Sequence, residues 1–305
     1  MPTGRRVVSL LPSATEVLFA VGAGDDVVGV TFECDEPAHA RSVARVVSNS
    51  ALPEGLSPAE IDTFVAARMA AGEDIYHLDR AALAGLDATL VVTQDLCAVC
   101  AVDVSEVHDA LDFLQCRAQV LTTDPHTLEE VWASIEAIGA ATGRDAAAAD
   151  LAASLRDRVA AVRASVAGMA GARCAILEWT DPPFSPGHWV PEMIESAGGV
   201  SVLGVAGQKS RRLDWAQVVQ SQPEVVVVAP CGFGLAESER LAGEVVAASV
   251  LPADAPVWAV DANASFARPG PRLADGVEAL ARILHPSLGA PDPAMARLVR
   301  GGPTV

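Results

Sequence analysis

The sequence predicts an α/β protein made of two Rossmann-like lobes with parallel sheets, joined by one long helix. Three observations carry this reading. Short β-branched runs alternate with amphipathic segments in two stretches of the chain, the pattern of parallel strands linked by crossover helices. Between those stretches lies a long run of Ala, Leu, Val and charged residues at helical spacing. The chain has 305 residues, 51% of them hydrophobic and 20% charged, which is about twice a typical domain and enough apolar material for two cores.

The first lobe is read as residues 1–125. Its strands are RRVVSLL, DDVVGVT, ATLVVTQ and AQVLTT, and its helices run from Ser13 to Val21, from Ser57 to Ala71 and near Ser105 to Leu114. Ser13 and Glu16 have the S-x-x-E spacing of a capping box, so a helix start accounts for both. Residues 126–168 read as the connecting helix, interrupted only by Gly139 and Gly143 and bendable at Gly143, with no proline after Pro125 until Pro182. The second lobe, residues 169–305, repeats the alternation: ARCAILEW, a Pro-rich loop, a helix from Val190 to Ala197, PEVVVVAP, a helix near Ser238 to Ala247, APVWAVD, and a last helix from Arg272 to Leu284. The tail from Leu288 onward, rich in Pro and Gly, is expected to run over the surface.

Charge and composition exclude several classes of function. Lys and Arg total 21 against 39 acidic residues, a formal charge of −18, which argues against a non-specific grip on nucleic acid or anionic lipid. Lys209 is the sole lysine and reads as a coding bias, since Arg fills most surface roles of Lys. No run of roughly 18 apolar residues predicts a membrane span. Near the N-terminus, Arg5 and Arg6 are followed by Pro12, Ser13, Thr15 and Glu16, and this polarity interrupts the apolar core that an export signal needs, so a cytoplasmic location is expected. Six cysteines are too few for a disulfide scaffold at this length and are expected as thiols or ligands.

Ligands of parallel α/β sheets sit beyond the carboxyl ends of the strands, which directs attention to the residues following each run. These are Glu33, Cys34 and Asp35; Asp95, Leu96, Cys97 and Cys100; Glu178, Trp179, Phe184, His188 and Trp189; Cys231 and Phe233; and Asn263, Phe266 and Arg268. Cys97 and Cys100 form a CxxC, and Cys34 and Cys231 would complete a tetrahedral set for Zn or an Fe–S cluster if facing lobes brought them together; alternatively each packs as a small hydrophobe. Gly187 lets the backbone approach a ligand, and the His188 imidazole is either a ligand to metal or a packed side chain. Trp179, Phe184 and Trp189 crowd one loop of a chain with five Trp, seven Phe and one Tyr, and flat apolar rings in a cleft suit a large planar ligand. Trp132 and Trp258 read as core, as do Cys116 and Cys174. No phosphate-cradling glycine motif or nucleophile-elbow motif occurs.

The segments SLLPSATE (9–16), ECDEP (33–37), LSPAEID (56–62), TQDLCAVCAV (93–102), EWTDPPFSPGHWVPEM (178–193), APCGF (229–233) and DANASFARPGPRLADGVEALARILHP (261–286) together span nearly the whole chain. In them the sequence resembles the vitamin B12 substrate-binding proteins of ABC importers, within the iron-siderophore and B12 binding class whose two lobes are joined by a rigid helix. The resemblance implies a cobalamin, other corrinoid or related metal-macrocycle ligand held between two lobes. The expected function is thus ligand binding. The alternative is an enzyme on the same fold whose Cys and His residues support metal- or thiol-dependent chemistry, and a redox or metal sensor built on the CxxC ranks third. Because an export signal is not read at the N-terminus, an importer permease is not expected as a partner.

Overall fold

The computed structural model describes residues 4–94, 107, 111 and 117–301. It divides into two compact units, Met1–Pro125 with Glu130–Ser154, and His126–Glu129 with Leu155–Val305. Asp95, Leu96, Cys97, Cys100 and Cys116 lie outside the described residues, as does the expected helix near Ser105 to Leu114 apart from Val107 and Leu111, which are buried.

In the first unit, β1 (Val7–Ser9), β2 (Val27–Val30), β3 (Arg45–Val46), β6 (Leu90–Gln94) and β7 (Gln119–Thr123) form a parallel sheet in the order β3-β2-β1-β6-β7. A separate antiparallel pair joins β4 (Ser48–Ser50) to β5 (Tyr76–Leu78). Strand β6 is buried along its whole length, consistent with its unbroken apolar run LVV. Helix α1 spans Pro12–Ala20, with Leu11 at its N-cap and no side-chain cap. The expected capping box of Ser13 and Glu16 does not form, because Pro12, preset for a first helical position, starts the helix early and draws Ser13 inside it. The short helices α2 (Ala40–Val43) and α4 (Arg80–Leu83) flank α3, which covers Pro58–Ala71 and is closed at both ends. Ser57 and Glu60 form its capping box, and Gly72 at φ 68° ends it.

The expected connecting helix is helical over most of its length but folds back on itself. It forms α5 (Leu128–Thr142) and α6 (Asp145–Ser165), separated at Gly143, whose φ of 71° no continuing helix adopts. The two helices form a hairpin. Gly139 faces Ala148 so closely that a Cβ at 139 would lie 2.2 Å from that of Ala148, and Arg156 reaches back to Glu129, Nη2 to Oε1 2.6 Å. The boundary between the two units crosses both helices.

In the second unit, β11 (Val200–Ser201), β8 (Arg173–Leu177), β12 (Val225–Val228), β13 (Val257–Val260) and β14 (Ala296–Arg300) form a sheet in that order, parallel except for β14. The tail therefore ends in an antiparallel edge strand, which the Pro- and Gly-rich residues before it concealed. Ala175, Leu177, Val226, Val228, Val257 and Ala259 belong to one core cluster. Helices α7 (Val190–Ser196), α8 (Trp215–Gln220), α9 (Leu235–Ala247), α10 (Ala262–Ser265) and α11 (Leu273–Leu284) complete the unit. Helix α11 buries Leu273, Val277, Leu280 and Ile283, at i, i+4, i+7 and i+10, the stripe by which an amphipathic helix packs.

Candidate ligand-binding site

The parallel register of β8, β12 and β13 brings their carboxyl ends to one edge of the second sheet, so the segments beginning at Glu178, Ala229 and Asp261 emerge together. A small hairpin follows β8: β9 (Trp179–Thr180) pairs antiparallel with β10 (Pro183–Phe184), setting Trp179 opposite Phe184. Phe184 is in turn bridged antiparallel to Arg212. Directly opposed residues of antiparallel strands share a face, and Trp179, Phe184 and Arg212 therefore form one row. The row is extended at one end by Phe233, whose ring stacks on Trp179 at 5.7 Å and 29°. At the other end the Arg212 guanidinium carbon lies 5.9 Å from the Phe184 ring centre. All three rings are part-buried, each with area left to solvent.

The chain that supplies Arg212 is a strap running back along the hairpin. Leu213 N–H donates to Pro183 O at 2.8 Å, Ser185 N–H to Arg211 O at 2.9 Å, Arg211 N–H to Ser185 Oγ at 3.1 Å and Gly207 N–H to His188 O at 2.9 Å. Gly187 is needed where the two segments touch, since a Cβ there would lie 2.3 Å from Ser210 N. Beneath the strap, the part-buried Glu178 carboxylate accepts from Gly187 N–H at 2.9 Å and from the Ser210 hydroxyl. Burial pushes its pKa up to about 7, against the opposing pull of the Ser210 and Gly187 hydrogen bonds, which favour the charged form. Cys231 is exposed, and its N–H donates to Glu178 O at 3.1 Å. Asn263 is part-buried; its side chain donates to Gly232 O at 3.1 Å, steadying the turn that carries Phe233. Arg268 is part-buried on the loop before α11.

Two rings named from sequence take another role. Trp189 is 3% exposed and its Nε1–H donates to Phe266 O at 2.8 Å, while Phe266 is itself 2% exposed. Both are core. The residue between loop and helix, His188, stands at φ 50° and is part-buried, with its ring 5.4 Å from that of His126.

In the first unit, the segment after β2 carries Glu33, Cys34 and Asp35. The hydroxyl of Tyr76 donates to Glu33 Oε1 at 3.2 Å, and Phe32 packs on the Tyr76 ring at 5.9 Å. Asp35 is exposed. The Cys34 thiol is fully buried, 3.0 Å from Thr15 Oγ1 and 3.2 Å from Thr31 Oγ1. The sulfur is engaged by two hydroxyls in the packed interior. Among the described residues, no group of three or more His, Cys, Asp or Glu side chains is arranged to hold a metal ion; Cys97 and Cys100 lie outside them. Cys174 is buried in β8, its thiol pushed up to about 12 by loss of solvent, and Trp132 is 2% exposed.

Sequence reading missed Ser210 and Arg212, which sit in no recognisable motif; Lys209, beside them, was the available signal. It also missed His126 and Tyr76, whose roles depend on residues 62 and 43 positions away.

The chain matches the periplasmic binding protein family over residues 7–253. It belongs to that family. A vitamin B12-binding protein of Vibrio cholerae serotype O1 is 24% identical over 282 residues, covering 92% of this chain and 88% of the relative. Among solved structures, the fold is similar to that of the periplasmic vitamin B12 binding protein BtuF of Vibrio cholerae, with TM-score 0.61, 21% identity and coverage of 93% of this chain and 98% of that one. It is also similar to the periplasmic heme binding protein HutB of the same organism, with TM-score 0.66, 16% identity and coverage of 92% and 99%. These findings overturn the expectation of a cytoplasmic protein, and with it the ground for setting a permease aside: the family and its solved neighbours point to the periplasm or the cell exterior. The polar residues from Pro12 to Glu16 belong to α1 of the folded domain, so their polarity reflects that helix and carries no information on export. Among the described residues, no helix is long and apolar enough to cross a membrane.

Proposed function

We propose that this protein captures a corrinoid or a related metal-bearing macrocycle and delivers it to the permease of an ABC importer. The observation that carries the reading is the continuous ledge of Phe233, Trp179 and Phe184 at the carboxyl edge of the second sheet, in a chain whose relatives bind vitamin B12 or heme. A flat macrocycle laid on these rings would cover their exposed area and an equal area of its own, on the order of 5 kcal/mol before the cost of association. Polar contacts supply the remainder. Glu178, His188, Asn263 and Arg268, on segments around the ledge, are the polar candidates. The enzyme reading has no support from the family.

Titration with cyanocobalamin and with hemin, followed by tryptophan fluorescence, tests the proposal. At least one is expected to quench with a dissociation constant in the micromolar range or below, and Trp179→Ala to weaken it by about tenfold or more, about 1.4 kcal/mol per decade. Trp132→Phe, a change in the core, should leave it within about twofold. Folded protein that binds neither compound at about 100 µM would overturn the reading.

A further inference from the structure

Three of the chain's 21 basic residues, including its only lysine, fall within four positions on the strap: Lys209, Arg211 and Arg212. All three are exposed, in a protein of formal charge −18. The strap is held to the ledge by the backbone hydrogen bonds of Ser185, Gly207 and Leu213, so the main chain that carries these charges is held beside the aromatic row. Arg212 continues the row itself, its guanidinium set against Phe184. We propose that the strap is an anion-recognition element, and that the preferred ligand is a flat macrocycle bearing free carboxylate groups at its rim. This deepens the proposed function and rests on it.

The physical argument is one of local field. A net negative surface repels an anionic ligand at distances beyond about 10 Å, roughly the screening length in physiological salt. Three cations spanning four residues of extended chain lie within about that length of one another, and act as a single positive patch against the general background. No ion pair of Lys209 or Arg211 occurs among the described residues. Glu178, beneath the strap, has its oxygens turned to Gly187 N–H and the Ser210 hydroxyl. Guanidinium groups also match carboxylate geometry with two parallel N–H donors, which a neutral ester or amide rim would leave half used.

The test compares hemin, which carries two carboxylates, with its dimethyl ester in the same dilute detergent, and adds dicyanocobinamide as a macrocycle whose rim is amidated. Wild-type protein is expected to bind hemin at least about tenfold more tightly than the ester, with the preference shrinking as salt rises from about 50 to about 500 mM. The triple variant Lys209→Gln, Arg211→Gln, Arg212→Gln should lose most of that preference for hemin over the ester; Arg212→Lys should keep part of it. Equal binding of hemin and ester by wild-type protein, or tighter binding of the ester or of dicyanocobinamide, overturns the anion element and leaves macrocycle binding standing. Failure of all three compounds to bind folded protein removes both readings. Circular dichroism of the triple variant separates lost charge from lost fold.

Discussion

Single side chains at the sheet edge carry charge and burial in opposition, and Glu178 is the sharpest case. Its carboxyl is raised from an ordinary 4.5 to about 7 by burial, so the folded state holds this proton more tightly than the unfolded chain does. Its contribution to stability is therefore full below about 4.5 and is lost as pH rises through about 7. For a half-buried group the loss is about 1–2 kcal/mol once solvent screening is included. Urea midpoints at pH 5 and pH 8 should fall further apart in wild-type protein than in Glu178→Gln; parallel behaviour would show that the group does not titrate in this window. Cys34 makes a second residue-scale case. Replacing it by Val leaves the hydroxyls of Thr15 and Thr31 without their sulfur partner in a sealed interior, at a cost of about 1–3 kcal/mol, whereas Ser should cost less. Thermal melts of the two variants decide between a structural thiol and an inert one.

Elements differ in where their stability comes from. Helix α3 buries none of its residues fully, so packing contributes little and its ends matter more than usual. Ser57→Ala removes the hydroxyl that caps Glu60 N–H, at about 1 kcal/mol. The expected result is faster amide exchange confined to α3 with a small change in global melting, and uniform loss of protection would contradict it. The hairpin of α5 and α6 depends instead on close approach. At Gly139 even a methyl group would collide with Ala148, and Gly139→Val should cost about 2–4 kcal/mol by forcing the helices apart. Gly143→Ala is strained for a different reason, its left-handed φ. Periodicity alone could not distinguish one long helix from a hairpin, because both halves have the same 3.6-residue pattern. The glycine at 143 marked a bend, and only the packing of 139 against 148 fixes its extent.

At the scale of the molecule, the charge of −18 makes self-repulsion a general term. Raising salt from about 20 to about 200 mM should lift the melting temperature by a few degrees by screening it; a melting temperature that falls with salt would show that paired charges such as Arg158 with Asp275 and Glu278 outweigh the net repulsion. The same excess of negative charge is what gives the basic strap its contrast.

The alternation of β-branched runs with amphipathic segments was enough to determine the parallel strands of both sheets, and strand direction was enough to put Glu178, Trp179, Phe184 and Phe233 on segments that follow their carboxyl ends. Three things were decided only by the folded chain. Trp189 and Trp179 are ten residues apart in one loop, yet one ring is sealed in the core against Phe266 and the other stacks at the surface on Phe233. Arg212 joins the ledge through a bridge to a residue 28 positions earlier, and His126 meets His188 across 62. Local sequence encodes period and direction because those arise from the backbone's own geometry. Which side chains share a surface depends on long-range strand pairing and on the order in which the sheet is assembled, and no window of neighbouring residues contains that information.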